Sequence, residues 1–325
     1  MTRSRTHTME HVRVVNAPPE VLYELVADVT RWPVIFGPSL HVRHLHRGPT
    51  DERFQLWALV GGQVKNWTSR RTLDASGLRI TFEQERSHAP IVSMGGSWCF
   101  HAVRGGRTQV VLGHHFSANG QRVIDWIADA VDRNSEDELA ALGRIAELAS
   151  PVYEVIDTFE DTIRLSGSAT DAYTFISRSD EWPDRLSHVR RVALREEQPG
   201  VQHMEMDTVT ADGSAHTTKS VRICFPHEQI VYKQLVAPAM LLGHSGAWHF
   251  ADVPGEPDSA VATARHTVAI NPAAARQVLG ADSTLADARR YLREALGGNG
   301  RATLAHAGRY AESRLAVPAQ GGRAQ

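Results

Sequence analysis

Apolar and polar positions alternate through residues 10–17, and the period then changes: after Ala17-Pro18-Pro19, residues Val21, Leu22, Leu25, Val26 and Val29 recur at helical spacing up to Trp32-Pro33. Proline in the first turn and again just past the end punctuates a short helix. Alternating runs follow at 40–47, 52–60, 64–73, 78–86, 92–104 and 107–117, separated by Gly48-Pro49, Gly61-Gly62, Asp74 to Gly77, Ala89-Pro90 and Gly105-Gly106. Short runs with tight polar connections predict an antiparallel meander. Ile124, Ile127, Val131, Leu139, Leu142, Ile145 and Leu148 then mark one apolar face of a long helix.

The same order returns about 150 residues later, too long a period for a solenoid or propeller. Trp32-Pro33 recurs as Trp182-Pro183, Phe82-Glu83-Gln84 as Tyr232-Lys233-Gln234, and Trp98-Cys99-Phe100 as Trp248-His249-Phe250. Each copy is therefore a whole domain, expected at 8–150 and 151–316, with 317–325 a disordered tail. In the second copy a strand at 153–165 precedes a helix capped by Ser168 or Thr170. Its closing helix carries Leu285, Ala288, Tyr291, Leu292 and Leu296, and a break is expected at Gly297-Gly298-Asn299-Gly300 because glycine costs about 1 kcal/mol inside a helix.

Composition narrows the function classes. The chain has 325 residues, 42% apolar and 22% charged, with a net charge of −2. That balance is ordinary for a globular protein and offers no bulk field for nucleic acid or an anionic membrane. With no apolar leader-like segment at residues 1–7 and no run of about 18 apolar residues, a cytoplasmic protein is expected. Cys99 and Cys224, one per domain, suit neither a disulfide framework nor a Cys-type metal site.

Strand alternation places Trp67, Ser69 and Arg71 on one face. Facing inward, the guanidinium needs either a core ion pair or a hydrated pocket. His114 and His115 face opposite ways, so one at most points inward; His115 is the candidate, with Asp132 and Asn134 of the closing helix as other groups within reach. His41, His44 and His46 lack a neighbouring carboxylate in sequence, so no metal is expected. Gly243-His244-Ser245-Gly246 lacks the features of a nucleophile elbow. The second copy keeps Ser220-Val221-Arg222, Trp182, Trp248 and His266, with Thr218 where Trp67 stands, which makes it a candidate degenerate site.

An antiparallel sheet wrapped around a long helix, entered through Ala17-Pro18-Pro19-Glu20, resembles the helix-grip fold of START lipid-transfer domains and the birch-pollen allergen. More narrowly, Trp32-Pro33-x-x-Phe36, the strand Val64 to Arg71, Glu85-Arg86 to Pro90, and Trp98-Cys99-Phe100 resemble the polyketide aromatase/cyclases. Monodomain members carry Trp-x-Trp-x-Ser-x-Arg on the corresponding strand, and here the first Trp is Lys65. The tandem arrangement resembles the didomain members, associated with ketoreduced chains. The resemblance implies an α+β fold with internal cavities and a regiospecific aldol closure and aromatisation of the first ring of a poly-β-ketone, with no cofactor. It implies an acyl carrier protein and other polyketide synthase subunits as partners. By the same resemblance Arg71 would hold the enolate or alkoxide oxygen, with Ser69 positioning an oxygen or water. Arg86 would be a second donor and His88 would stand at the mouth, while Trp32, Phe36, Trp67, Trp98 and Phe100 would be walls that bend the chain. A non-catalytic binder of an apolar small molecule and a scaffold for a synthase complex remain the alternatives.

Overall fold

The structure, a computed structural model, describes residues 6–85, 90–148, 151–209 and 215–315. Two compact units divide between Ile156 and Asp157. In the first, β1 (His7–Val15) leads into α1 (Pro19–Ala27), a 3₁₀ turn (Val29–Arg31) and the one-turn α2 (Trp32–Ile35). Then come β2 (Ser39–Arg47), β3 (Asp51–Val60), β4 (Gln63–Asp74), β5 (Arg79–Gln84), β6 (Ile91–Val103), β7 (Arg107–Ala118), α3 (Gln121–Ala146) and the short α4 (Val152–Val155). The second unit contains β8 (Ile156–Ser166), α5 (Ala169–Ser177), α6 (Trp182–Arg185), β9 (Val189–Gln198), β10 (Val201–Val209), β11 (Ala215–Phe225), β12 (Gln229–Val236), β13 (Leu241–Asp252), β14 (Ser259–Ile270), α7 (Pro272–Leu279) and α8 (Leu285–Leu315). Each unit has one seven-stranded antiparallel sheet, ordered β1-β7-β6-β5-β4-β3-β2 and β8-β14-β13-β12-β11-β10-β9. This is the α+β helix-grip architecture expected from the sequence.

Local chemistry explains the turn that shapes each interior. α1 stops at Asp28, whose side chain accepts from Thr30 N at 3.1 Å and starts the 3₁₀ turn. Trp32 then folds back and donates its Nε1–H to Val26 O at 3.1 Å. Trp182 repeats this with Phe175 O at 3.1 Å. On the other side, Ile127 and Val131 of α3 pack with Phe116 and Ala118 of β7 and against Met9 and Met94.

The expected helix break is overturned: α8 runs unbroken through Gly297-Gly298-Asn299-Gly300. Tertiary packing outweighs the propensity cost, because these glycines let the helix approach the sheet. A Cβ on Gly297 would lie 2.7 Å from Asp161 Oδ2, and one on Gly300 3.2 Å from His266 Nε2. Gly298 meets nothing nearer than Arg301 at 3.9 Å. Gly298→Ala is therefore expected to raise the second domain's stability by about 0.5–1 kcal/mol. Gly300→Leu is expected to lower it by about 1–3 kcal/mol through overpacking. Thermal denaturation of the full-length variants checks both signs. An extra helix, α7, precedes α8: Asn271 caps it by accepting from Ala274 N at 3.2 Å, Pro272 opens it, and Gly280 ends it at φ 109°.

Candidate active site

The sheet register decides which side chains meet inside the first domain. Arg71 opposes Glu52, Ser69 opposes Phe54, and Trp67 opposes Leu56, so all six share the inner face of β3 and β4. Arg71 is 1% exposed. It donates Nε–H to Glu52 Oε1 at 2.8 Å, and its Nη2 bonds the same oxygen. The fork also reaches Val26 O at 2.8 Å and Ala27 O at 2.6 Å, tying the end of α1 to the sheet. Trp32 and Phe54 cover it, with ring centroids 5.1 and 5.4 Å from Cζ. Burial lowers the guanidinium's pKa, and the Glu52 carboxylate opposes that shift. The guanidinium expected to face a hydrated pocket is instead enclosed in the core ion pair that the sequence left as its other reading. Ser69 is also buried, its Oγ donating to Glu83 O at 3.4 Å.

The expected walls pack mainly on one another. Trp32 meets Phe36 edge-on at 5.5 Å, Phe36 stacks on Trp98 at 6.2 Å, and Trp98 stacks on Phe100 at 6.4 Å. Phe36, Trp98 and Phe100 are buried, whereas Trp67 keeps partial access. Arg86 and His88 lie outside the described residues.

A different strip faces inward without being fully covered: Trp67, Phe82, Gln84, Met94, His114 and Glu138. His114, not His115, is the inward histidine of β7. It shares parity with Val110, Leu112 and Phe116, all fully buried, and lies edge-on to Phe82 at 5.6 Å. His115 is corrected to the outer face, where Nε2 lies 2.8 Å from Glu83 Oε1 and the side chain is 39% exposed. From α3, Ser135 Oγ comes within 3.4 Å of His114 Nδ1. Glu138 sits one turn further along that helix face, among Val131, Ser135, Leu139 and Leu142.

Burial holds His114 down to about 4, helped by nearby His11 and His115. It pushes Glu138 up to about 7, with Asp137 adding to the effect. At neutral pH burial thus favours the neutral imidazole at His114 and leaves the Glu138 carboxyl close to its midpoint. Asp132 is turned aside, accepting from His11 Nε2 at 2.8 Å on the flank of the helix, and Asn134 is exposed.

Sequence reasoning missed Glu52, His114 and Glu138. The first two were within reach, since Glu52 alternates with Phe54 and Leu56, and His114 with Leu112 and Phe116. The three histidines weighed for metal diverge: His41 lies tilted against Trp57 with ring centroids 5.1 Å apart, His44 Nε2 meets Glu52 at 3.1 Å, and His46 Nε2 meets Asp51 at 3.3 Å.

The second domain keeps the frame and changes the chemistry. Arg222 lies over Trp182 at 5.5 Å and donates to Ile176 O at 2.6 Å, but it opposes Gln202 where the first domain has Glu52. Ser220 and Trp248 are buried. His266 opposes Gly246 as His114 opposes Gly96. It is hemmed in, however: Nδ1 lies 3.0 Å from Tyr232 Oη and 3.2 Å from His244 Nε2, while Phe159 stacks at 5.2 Å. Burial lowers His266 to about 4 and His244 to about 3.

Two tandem helix-grip domains, each a seven-stranded antiparallel sheet with a closing helix, define a START-like didomain protein. A family model described as polyketide cyclase/dehydrase and lipid transport matches residues 15–141. Over 317 residues the chain is 52% identical to the actinorhodin polyketide synthase bifunctional cyclase/dehydratase of Streptomyces coelicolor, covering 94% of this chain and 98% of that protein. It is 50% identical over 309 residues to the granaticin polyketide synthase bifunctional cyclase/dehydratase of Streptomyces violaceoruber, covering 94% of each. The crystal structure of the di-domain ARO/CYC BexL from the BE-7585A biosynthetic pathway matches with a TM-score of 0.82 at 44% identity, over 96% of this chain and all of that one. That of the di-domain ARO/CYC StfQ from the steffimycin pathway matches at 0.79 and 35% identity, over 95% of this chain and all of that one. The chain belongs to the polyketide synthase bifunctional cyclase/dehydratases, and it is a polyketide aromatase/cyclase enzyme.

Proposed function

We propose that the first domain closes the first ring of a poly-β-ketone delivered by an acyl carrier protein, by regiospecific intramolecular aldol condensation, and then dehydrates it to the aromatic ring. The chain works in the cytoplasm beside other synthase subunits, and its substrate is ketoreduced. The observation that carries this reading is the strip of His114, Ser135 and Glu138. Aldol closure forms an alkoxide, and aromatisation removes a proton from carbon and a hydroxyl from its neighbour. With Ser135 donating to Nδ1, His114 stays neutral and keeps a hydrogen on Nε2 to offer the developing oxyanion. Glu138, near its midpoint at neutral pH, takes the proton from carbon and returns it to the departing hydroxyl, which leaves as water. Trp67, Phe82 and Met94 form the apolar side of the strip and select which carbons meet. Arg71 acts as a positioning residue that holds Glu52 and the Trp32 wall. The second domain, with its histidine enclosed and Gln202 at the Glu52 position, keeps the frame without turning over substrate.

The test reconstitutes a minimal polyketide synthase with and without ketoreductase, adds the full-length protein, and profiles products by mass spectrometry. The expected result is conversion of shunt products to a dehydrated aromatic first ring. A profile identical to that without the protein would reject the reading and favour the binder.

A further inference from the structure

The first domain holds a further inward-facing histidine on β2, the edge strand at the other end of the sheet from β7. Glu52 is 2% exposed and its Oε1 accepts twice from Arg71, so it is an ionised carboxylate that can only accept. Its Oε2 lies 3.1 Å from His44 Nε2. The hydrogen of that bond therefore belongs to His44 Nε2, which in the neutral imidazole places the lone pair on Nδ1. The ring faces inward beside its cross-strand partner Phe54, at 6.3 Å, and remains 22% exposed. Among the described residues no hydrogen-bond partner meets Nδ1. A β-bulge between His44 and His46 re-aims this stretch of the edge strand.

The duplication supplies an internal comparison. In the second domain the register places Leu194 opposite Met204, as His44 stands opposite Phe54, and Gln202 opposite Arg222, as Glu52 stands opposite Arg71. The structural arginine and its tryptophan lid are present in both copies, whereas the histidine and the carboxylate that fixes its tautomer occur only in the first. The pair is therefore dispensable for the frame.

We propose that His44, oriented by Glu52, is the base that forms the enolate for ring closure, a catalytic residue separate from the His114–Glu138 strip; this rests on the cyclase reading above. The C–H bond of a methylene between two carbonyls breaks, its proton moves to His44 Nδ1, and the electron pair delocalises onto oxygen as the enolate. Once the new carbon–carbon bond forms, the imidazolium returns that proton to the alkoxide. Charge and atoms balance without a co-reactant, and Glu52 offsets the transient imidazolium as a triad carboxylate does.

The experiment compares wild type, His44→Ala, His44→Leu and Glu52→Gln, all full-length, in the reconstituted synthase. Because Leu and Gln stand at these places in the second domain, His44→Leu and Glu52→Gln are expected to fold. His44→Ala should reduce ring-closed product by roughly 10²-fold or more, with added imidazole restoring a measurable part. His44→Leu, its site filled, should show the same loss without rescue, and Glu52→Gln an intermediate loss. Wild-type output from His44→Ala and His44→Leu would overturn the inference while leaving the cyclase reading intact. So would loss that imidazole never restores and that tracks a lowered melting temperature. If wild type itself forms no ring-closed product, the cyclase reading fails first.

Discussion

Arg71→Ala is expected to destabilise the first domain by about 3–5 kcal/mol, the usual cost of removing one partner from a buried ion pair. Glu52, 2% exposed, would keep only His44, Ala27 O at the end of α1 would lose the Arg71 donor, and Val26 O would keep only Trp32 Nε1–H. Hydrogen exchange of the full-length variant reads this locally: faster exchange in α1, β3 and β4, with β8 to β14 unchanged. Glu52→Gln should cost much less, because the second domain already places a buried arginine opposite glutamine. Wild-type exchange in Arg71→Ala would show that the ion pair does not hold this corner together. Lost product from Arg71→Ala is thus no measure of a direct chemical role unless the fold is shown to survive. Trp32 depends on the same network, since its ring covers the guanidinium at 5.1 Å.

Glu138→Gln is expected to reduce dehydrated product by roughly 10²–10⁴-fold, the usual worth of a positioned acid–base group. Cyclised but undehydrated material should accumulate, which separates the two chemical steps. The variant also carries a pH signature. Glu138 is raised from 4.5 to about 7 in the folded protein, so the stability associated with its protonated form is fully present below pH 4.5 and is lost as pH rises through about 7. His114 is lowered from 6.5 to about 4, so its contribution is present above 6.5 and lost as pH falls through about 4. The two slopes oppose each other in wild type. In Glu138→Gln the histidine slope stands alone, and the first domain's melting temperature should climb from about pH 4 to 6.5 and not decline toward 7. An unchanged pH profile would place Glu138 in contact with solvent, and unchanged dehydration would remove it from the proposed mechanism.

The sequence by itself determined the duplication, the order of elements, the antiparallel meander and the shared face of Trp67, Ser69 and Arg71. Those are local periodicities, written in residues a few positions apart and set by backbone geometry. The inward parity of His114 is equally legible in its alternation with Leu112 and Phe116. What covers Arg71 was not legible: Glu52 lies 19 residues away, and only the β3–β4 register brings the two together. Nor was the unbroken α8, because glycine's cost is local while the close approach of Gly297 and Gly300 to Asp161 and His266 exists only after the helix docks. Glu138 was hidden for the same reason, since one glutamate on an amphipathic helix looks like solvent-facing charge until a sheet closes over it and desolvation raises its pKa. Strand register and helix docking join segments far apart in the chain, and those contacts turned an arginine expected to meet substrate into a buried brace and an ordinary glutamate into the candidate proton carrier.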